Sequence, residues 1–254
     1  MLINFNLTQD GQPIIPYWRV CVGGGRVGEA LRADFQKHLE LIQREMPFQY
    51  IRMHGLFHED MMVYHEENGQ PIVNWQYVDL VYDHWLSIGI RPFVELGFMP
   101  YDLASGEETV FWWKGNITPP KDYTKWAGLV RALVRHSLDR FGLEEVRQWY
   151  FEVWNEPNLY QGFWDADQAE YFKLYETTAR AIKAIHPDLR VGGPATSDAS
   201  AGEAPWYSLP GLSARHYSWE DRGHEDEAVG IRSHRRGALG WLWQSPGRGR
   251  RHAR

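Results

Sequence analysis

Cysteine is nearly absent: Cys21 stands alone in 254 residues, which excludes an internal disulfide and any cysteine-cluster metal site. No run approaches the roughly 18 uninterrupted apolar residues of a membrane span. The N-terminus also lacks a basic segment leading into a long apolar one, so neither a membrane anchor nor a signal peptide is expected, and a cytoplasmic location is. The first 200 residues carry no basic stripe and the formal net charge is −6; without a positive field, affinity for nucleic acid or anionic membranes is not expected. What remains is a chain that is 43% apolar and 15% aromatic, rich enough for a large core and of a length that suits one α/β barrel of roughly 250 residues.

The densest signal is Trp149-Tyr150-Phe151-Glu152-Val153-Trp154-Asn155-Glu156-Pro157. An aromatic and β-branched strand runs straight into an amide and a carboxylate, with proline behind them. Around it the chain reads strand, helix, strand, helix. A first strand near Tyr17–Val22 meets Gly23-Gly24-Gly25, and a helix follows with Leu31, Phe35, Leu39 and Ile42 on one face. A strand at Tyr50–His54 leads through a long polar loop to a helix near Trp75–Ser87, closed by Gly89. The third strand spans Ile90–Gly97, and the next helix begins near Pro119–Pro120 with Trp126, Leu129, Val130, Leu133 and Leu138 facing inward. The fourth strand is Gln148–Trp154, its helix runs from about Asp167 to Ile185 and buries Phe172, Tyr175, Ala179 and Ile182, and a fifth strand is Leu189–Gly192. Alternating units of this kind imply a parallel sheet, either closed as a barrel or open and doubly wound.

The units take about 40 residues apiece, so five end near residue 196 and leave 58 residues. Three more compact units would need roughly 93, so an eight-stranded barrel is not expected to close. Residues 1–200 are therefore read as a partial catalytic barrel and 201–254 as an unassigned tail. That tail holds nine Arg and no Lys, against twelve Arg and six Lys before it. Phrases such as Ser245-Pro246-Gly247-Arg248-Gly249-Arg250-Arg251 suggest a GC-rich gene read out of frame after Thr196; a genuine basic, disordered tail is the alternative. None of Glu203, Glu220, Glu225 and Glu227 ends a credible strand.

Four segments in order resemble the β-xylosidases of glycoside hydrolase family 39: Cys21-Val22-Gly23, Tyr50-Ile51-Arg52-Met53-His54-Gly55, Phe151 through Leu159 with Phe163-Trp164, and Val191-Gly192-Gly193-Pro194-Ala195-Thr196. The resemblance covers about residues 14–196. It implies a (β/α)8 TIM-type barrel, of which about five βα units are present, and retaining hydrolysis of terminal β-xylosyl units from xylo-oligosaccharides or another β-glycoside. It places the acid/base at Glu156, while the family's nucleophile, a glutamate ending strand seven, maps onto nothing here. The alternative is a catalytically incomplete fragment that at most binds carbohydrate; a third reading, a barrel glycosidase for β-glucosides or glycosaminoglycans, differs only in substrate.

The chemistry agrees with that placement. Cleaving a glycoside requires a carboxyl that protonates a poor leaving group, and a retaining enzyme sets its partner about 5 Å away. Asn155 is suited to bind a sugar hydroxyl, or else to form a turn before Pro157. Alternation puts Tyr50, Arg52 and His54 on one face of their strand. His54, at the tip, is a substrate-binding candidate, the alternative being a core histidine satisfied by a backbone carbonyl. Arg52 and Glu152 lie deeper and are expected to pair. Trp112, Trp113, Phe163 and Trp164 fall in strand-to-helix loops, where an aromatic ring stacks on a sugar; Phe163 and Trp164 are the chosen candidates. Two further patterns are weak. Gly23, Gly25 and Gly28 have dinucleotide-loop spacing but no acid at the tip of the second strand, and His54, His58, His65 and Glu59 lack metal-ligand spacing because Met62 stands where His-Glu-x-x-His needs its second histidine. No cofactor is implied.

Overall fold

The structure, a computed structural model, describes residues 15–197. The expectations for residues 198–254, including the arginine-rich tail, lie outside the described residues. Five strands, β1 (Cys21–Arg26), β2 (Tyr50–His54), β3 (Arg91–Glu95), β4 (Tyr150–Glu152) and β5 (Arg190–Gly192), form one parallel sheet. Its spatial order is the chain order, each strand pairing with its neighbour in sequence. A doubly wound sheet reverses order at a switch point; this one does not. Four helices, α1 (Ala33–Glu45), α2 (Gln76–Ser87), α3 (Tyr123–Phe141) and α4 (Gln168–Lys183), connect the strands.

The register sorts side chains between the two faces of the sheet. Ile51, Met53, Val94, Phe151, Val153 and Val191 join the buried residues of all four helices in one apolar core. On the opposite face, register aligns Gly23, Arg52, Phe93, Tyr150 and Arg190 in one row. Tyr50, Phe93 and Tyr150 make a small separate cluster there, with Tyr50 and Tyr150 edge to face at 5.1 Å. Glu95, Glu152 and Gly192 occupy the next row up. A sheet apolar toward its helices and polar toward its other side is the pattern that prepares the second face for chemistry.

Several local expectations need correction. Residues Tyr17–Arg19 form a 3-10 turn, and the three glycines lie inside β1 rather than in a loop after it. The reason is steric: a Cβ at Gly24 would come within 2.8 Å of Met53 Cγ and 3.1 Å of Ile51 Cδ1. Gly24 thus serves close strand-to-core packing, whereas Gly23 and Gly25 have open space where a Cβ would stand and Gly25 holds a left-handed φ of 82°. Gly24→Ala is expected to cost about 1–3 kcal/mol through overpacking, read as a lower urea midpoint at unchanged slope. Of the residues assigned to the inner face of α1, only Leu39 is buried and Ile42 is exposed; Gln43 is buried instead, exchanging two hydrogen bonds with the Phe48 backbone. Helix α3 starts at Tyr123, because the Asp122 carboxylate caps the amides of Thr124 and Lys125, and both prolines remain in the preceding loop. In α4, Tyr171 and Leu174 take the buried positions beside Tyr175, with Phe172 only partly covered. The long polar loop after β2 contains a hairpin, Tyr64–Glu67 against Gln70–Val73, turned by Asn68-Gly69 at φ of 51° and 75°; that dipeptide is its legible signal.

Candidate active site

Arg52 organises the polar face. Its guanidinium donates to both oxygens of Glu152, at 2.5 and 2.8 Å, and to Asn155 Oδ1 at 2.7 Å. The expected Arg52–Glu152 pair is therefore present, and it extends to the amide beside Glu156. The Glu152 side chain is wholly buried. Burial pushes its carboxyl above the ordinary value, the Arg52 charge opposes that rise, and neighbouring Glu95 adds to it. Cys21, on the same face, is pushed up to about 12 by burial, so it stays a thiol and offers no nucleophile.

His54 has a carboxylate partner where a backbone carbonyl was the alternative: Nδ1 lies 2.6 Å from Glu95 Oε2. Sequence reasoning passed over Glu95, although a lone acid closing the apolar strand Arg91-Pro92-Phe93-Val94-Glu95 is the signal that reveals it. Its carboxylate is 2% exposed, and Gly97 makes room for it, since a Cβ there would stand 2.6 Å from Oε1. Burial disfavours the charged His54 ring, yet the Glu95 carboxylate, in contact and hydrogen bonded, outweighs it and raises the His54 pKa above 6.5. The sign follows directly. Stability from this pair is fully present below pH 6.5, the unfolded value, and is lost as pH rises through the higher folded value. In Glu95→Gln the His54 titration is expected to move downward and that pH-dependent component to vanish; an NMR titration of the imidazole, with urea melts across the same range, checks both.

The end of β4 is held in an uncommon backbone conformation. Trp154 and Glu156 have φ of 68° and 44°, left-handed values that cost a non-glycine residue about 1–3 kcal/mol each. Fixed partners compensate. Trp154 is buried and its Nε1 donates to the Phe163 carbonyl at 2.6 Å. The Glu156 amide donates to the Ala195 carbonyl at 2.8 Å, and Asn158 exchanges hydrogen bonds with Ser197. The segment after β5 thus braces the backbone that carries Glu156. The Glu156 side chain is half-buried and has no hydrogen bond among the described residues.

The aromatic candidates separate. Phe163 is half-buried and stacks on His54, centroids 6.4 Å apart and planes 25° apart. Trp164 is fully buried, with Nε1 donating to the Asp167 carbonyl at 3.1 Å. A ring with no exposed face cannot stack on a sugar, so Trp164 is a packing residue. The remaining histidines have other partners: His58 Nε2 lies 2.7 Å from the Trp113 carbonyl and His65 pairs with Asp102. Among the described residues no group of three or more His, Cys, Asp or Glu is placed to hold a metal ion, and no helix is long and apolar enough to cross a membrane.

The arrangement brings Asn155, Arg52 and Glu152 together, sets His54 against Glu95 and Phe163, and presents Glu156 from a braced turn. A β-xylosidase of Geobacillus stearothermophilus is 54% identical over 182 residues, 70% of this chain and 36% of that relative. One from Caldicellulosiruptor saccharolyticus is 47% identical over 78% of this chain and 41% of its own length. The crystal structure of the GH39 enzyme from Xanthomonas axonopodis pv. citri superposes with a TM-score of 0.73 at 48% identity, covering 78% of this chain and 39% of that one. The chain thus spans well under half the length of these relatives. The family model for glycosyl hydrolases family 39 matches residues 1–206, and with the sheet and its polar face alongside that match, the chain belongs to this family.

Proposed function

We propose that the five-stranded arc is part of a (β/α)8 barrel and that its polar face serves retaining hydrolysis of terminal β-xylosyl units, with Glu156 as general acid/base. The observation that carries the reading is the junction at the end of β4: the amide of Asn155, oriented by Arg52 from β2, immediately precedes a carboxyl free of other partners among the described residues. With Oδ1 engaged, Asn155 presents its NH₂ as a donor to a sugar hydroxyl, where contact strengthens as positive charge develops at the anomeric carbon. Glu156 protonates the departing oxygen and, once the sugar is held covalently, activates water as base. His54, fixed through Nδ1, offers Nε2 to a second hydroxyl, and Phe163 offers a ring edge beside it.

Retention requires a carboxylate nucleophile. Glu95 and Glu152 are bound to His54 and Arg52, and no other described residue is assigned that role. This favours a second reading, a chain that binds xylose without turning it over. The purified 254-residue protein, offered unsubstituted phenyl β-xyloside, whose phenolate is a poor leaving group, separates the two: release of phenol lost in Glu156→Gln supports the enzyme, and xylose binding without release supports the second. An aryl β-glucoside hydrolysed in preference overturns the sugar assignment.

A further inference from the structure

The turn that carries Glu156 has a second support, which reaches it from helix α4. Val153 carries the parallel pairing of β4 with β5 one bond further, its amide donating to the Gly192 carbonyl at 2.9 Å. The next bond of a parallel ladder would come back to the Val153 carbonyl from the amide at position 194. That residue is proline and has no N–H. Val153 is fully buried, so its carbonyl has no water to turn to and needs a donor from the protein.

Tyr171 supplies that donor. Its hydroxyl donates to the Val153 carbonyl at 3.0 Å, and its ring is fully buried. Burial pushes the phenol well above its ordinary pKa, so the proton stays and the hydroxyl remains a donor. The surroundings are shaped to this group. Gly193 has a φ of 149°, and a Cβ there would stand 2.8 Å from the Tyr171 oxygen. Tyr171 itself lies in the first turn of α4, which Asp167 caps by accepting from the Glu170 amide at 2.8 Å. The Trp164 ring meets both sides of the joint, its centroid 6.1 Å from that of Tyr171 and 5.2 Å from that of Trp154. Directly after Val153 the backbone turns left-handed at Trp154 and again at Glu156.

We propose that Tyr171 is a positioning residue for Glu156: by replacing the amide that Pro194 lacks, its hydroxyl fixes the last ladder carbonyl before the turn and so the direction in which the turn presents the carboxyl. The consequence for catalysis rests on the proposed glycosidase reading, whereas the placement of the carboxyl does not.

The test compares the 254-residue protein with Tyr171→Phe, which keeps the ring and removes the hydroxyl. Thr178→Val is the control, because it breaks a different buried bond of the same helix, from Trp126 Nε1 to Thr178 Oγ1 at 2.8 Å. The first readout is the ratio of kcat/KM for phenyl β-xyloside to that for dinitrophenyl β-xyloside, which a loss of folded protein leaves unchanged. Tyr171→Phe is expected to lower this ratio about tenfold, since only the phenyl compound needs a well-placed acid, and Thr178→Val to keep it. The second readout is the NMR signal of the Glu156 carboxyl carbon in isotopically labelled protein, assigned by its loss in Glu156→Gln. That signal is expected to move in Tyr171→Phe while the Glu95 signal holds, and to stay in place in Thr178→Val. An unchanged ratio, an unmoved Glu156 signal, or the same changes in Thr178→Val overturns the positioning role. Wild type that cleaves neither xyloside overturns the glycosidase reading alone, and the carboxyl signal then decides whether Tyr171 places Glu156.

Discussion

Under the proposed glycosidase reading, Glu156→Gln is expected to slow cleavage of xylobiose by about 10²–10⁴-fold, the range supplied by a positioned general acid. On a dinitrophenyl β-xyloside the loss in bond cleavage is expected to be far smaller. A sugar alkoxide is a poor leaving group and must be protonated as the bond breaks, whereas a dinitrophenolate leaves without help, so only the first substrate depends on the acid. Glutamine keeps the volume and also the left-handed backbone at φ 44°, so the Ala195 brace and the fold are retained. Pre-steady-state release of aglycone from both substrates makes the comparison, because the proposed retaining mechanism would also use Glu156 as base in breaking down a covalent intermediate, and that step is then kept apart from bond cleavage. Equal loss on the two substrates would remove Glu156 from the acid's role.

The second large effect is on stability. Arg52→Ala is expected to destabilise the protein by about 3–5 kcal/mol, the usual cost of removing one partner of a buried ion pair. The Glu152 carboxylate would be left fully buried with no cation in contact, and Asn155 Oδ1 would lose its donor. Arg52→Lys is expected to recover only part, because one ammonium cannot reproduce the fork that spans both Glu152 oxygens and the Asn155 amide. Arg52→Met with Glu152→Leu together should cost less than Arg52→Ala alone, since no charge is then stranded. The pH dependence gives an independent check. In Arg52→Ala the Glu152 pKa rises further, so the folded state holds its proton more tightly than the unfolded one, and the deficit shrinks as pH falls through that value. Urea denaturation of the four proteins between pH 5 and 8 tests the order; a deficit that does not vary with pH would mean that Glu152 is not the stranded charge.

Much of the site was legible because it is local. Period-two alternation along Tyr50–His54 dictates that Arg52 and His54 share a face with Tyr50, and Asn155-Glu156-Pro157 announces itself at the end of an apolar strand. The heights of Arg52 and Glu152 within their strands were enough to anticipate their pairing. The glycine run was misread because a local pattern cannot show that Met53 and Ile51 pack against Gly24 from the neighbouring strand. Trp164 was misassigned for a related reason: loop position says that an aromatic is near the catalytic face, not which way its ring turns.

By itself, then, the sequence determined the repeating strand–helix order, the face that the β2 side chains occupy, the family and the Asn155-Glu156 pair at the end of an apolar strand. These depend on bonded neighbours and on short periods that φ and ψ enforce. Only the tertiary structure decided that strands pair in chain order, that His54 answers to Glu95, that the Arg52 side chain paired with Glu152 also reaches Asn155, and that Trp164 is sealed in while Trp112 is exposed. Those contacts join residues 41 to 103 positions apart, and they exist because parallel register and a common core bring the strands side by side, an outcome set by the packing of the whole chain rather than by any one segment.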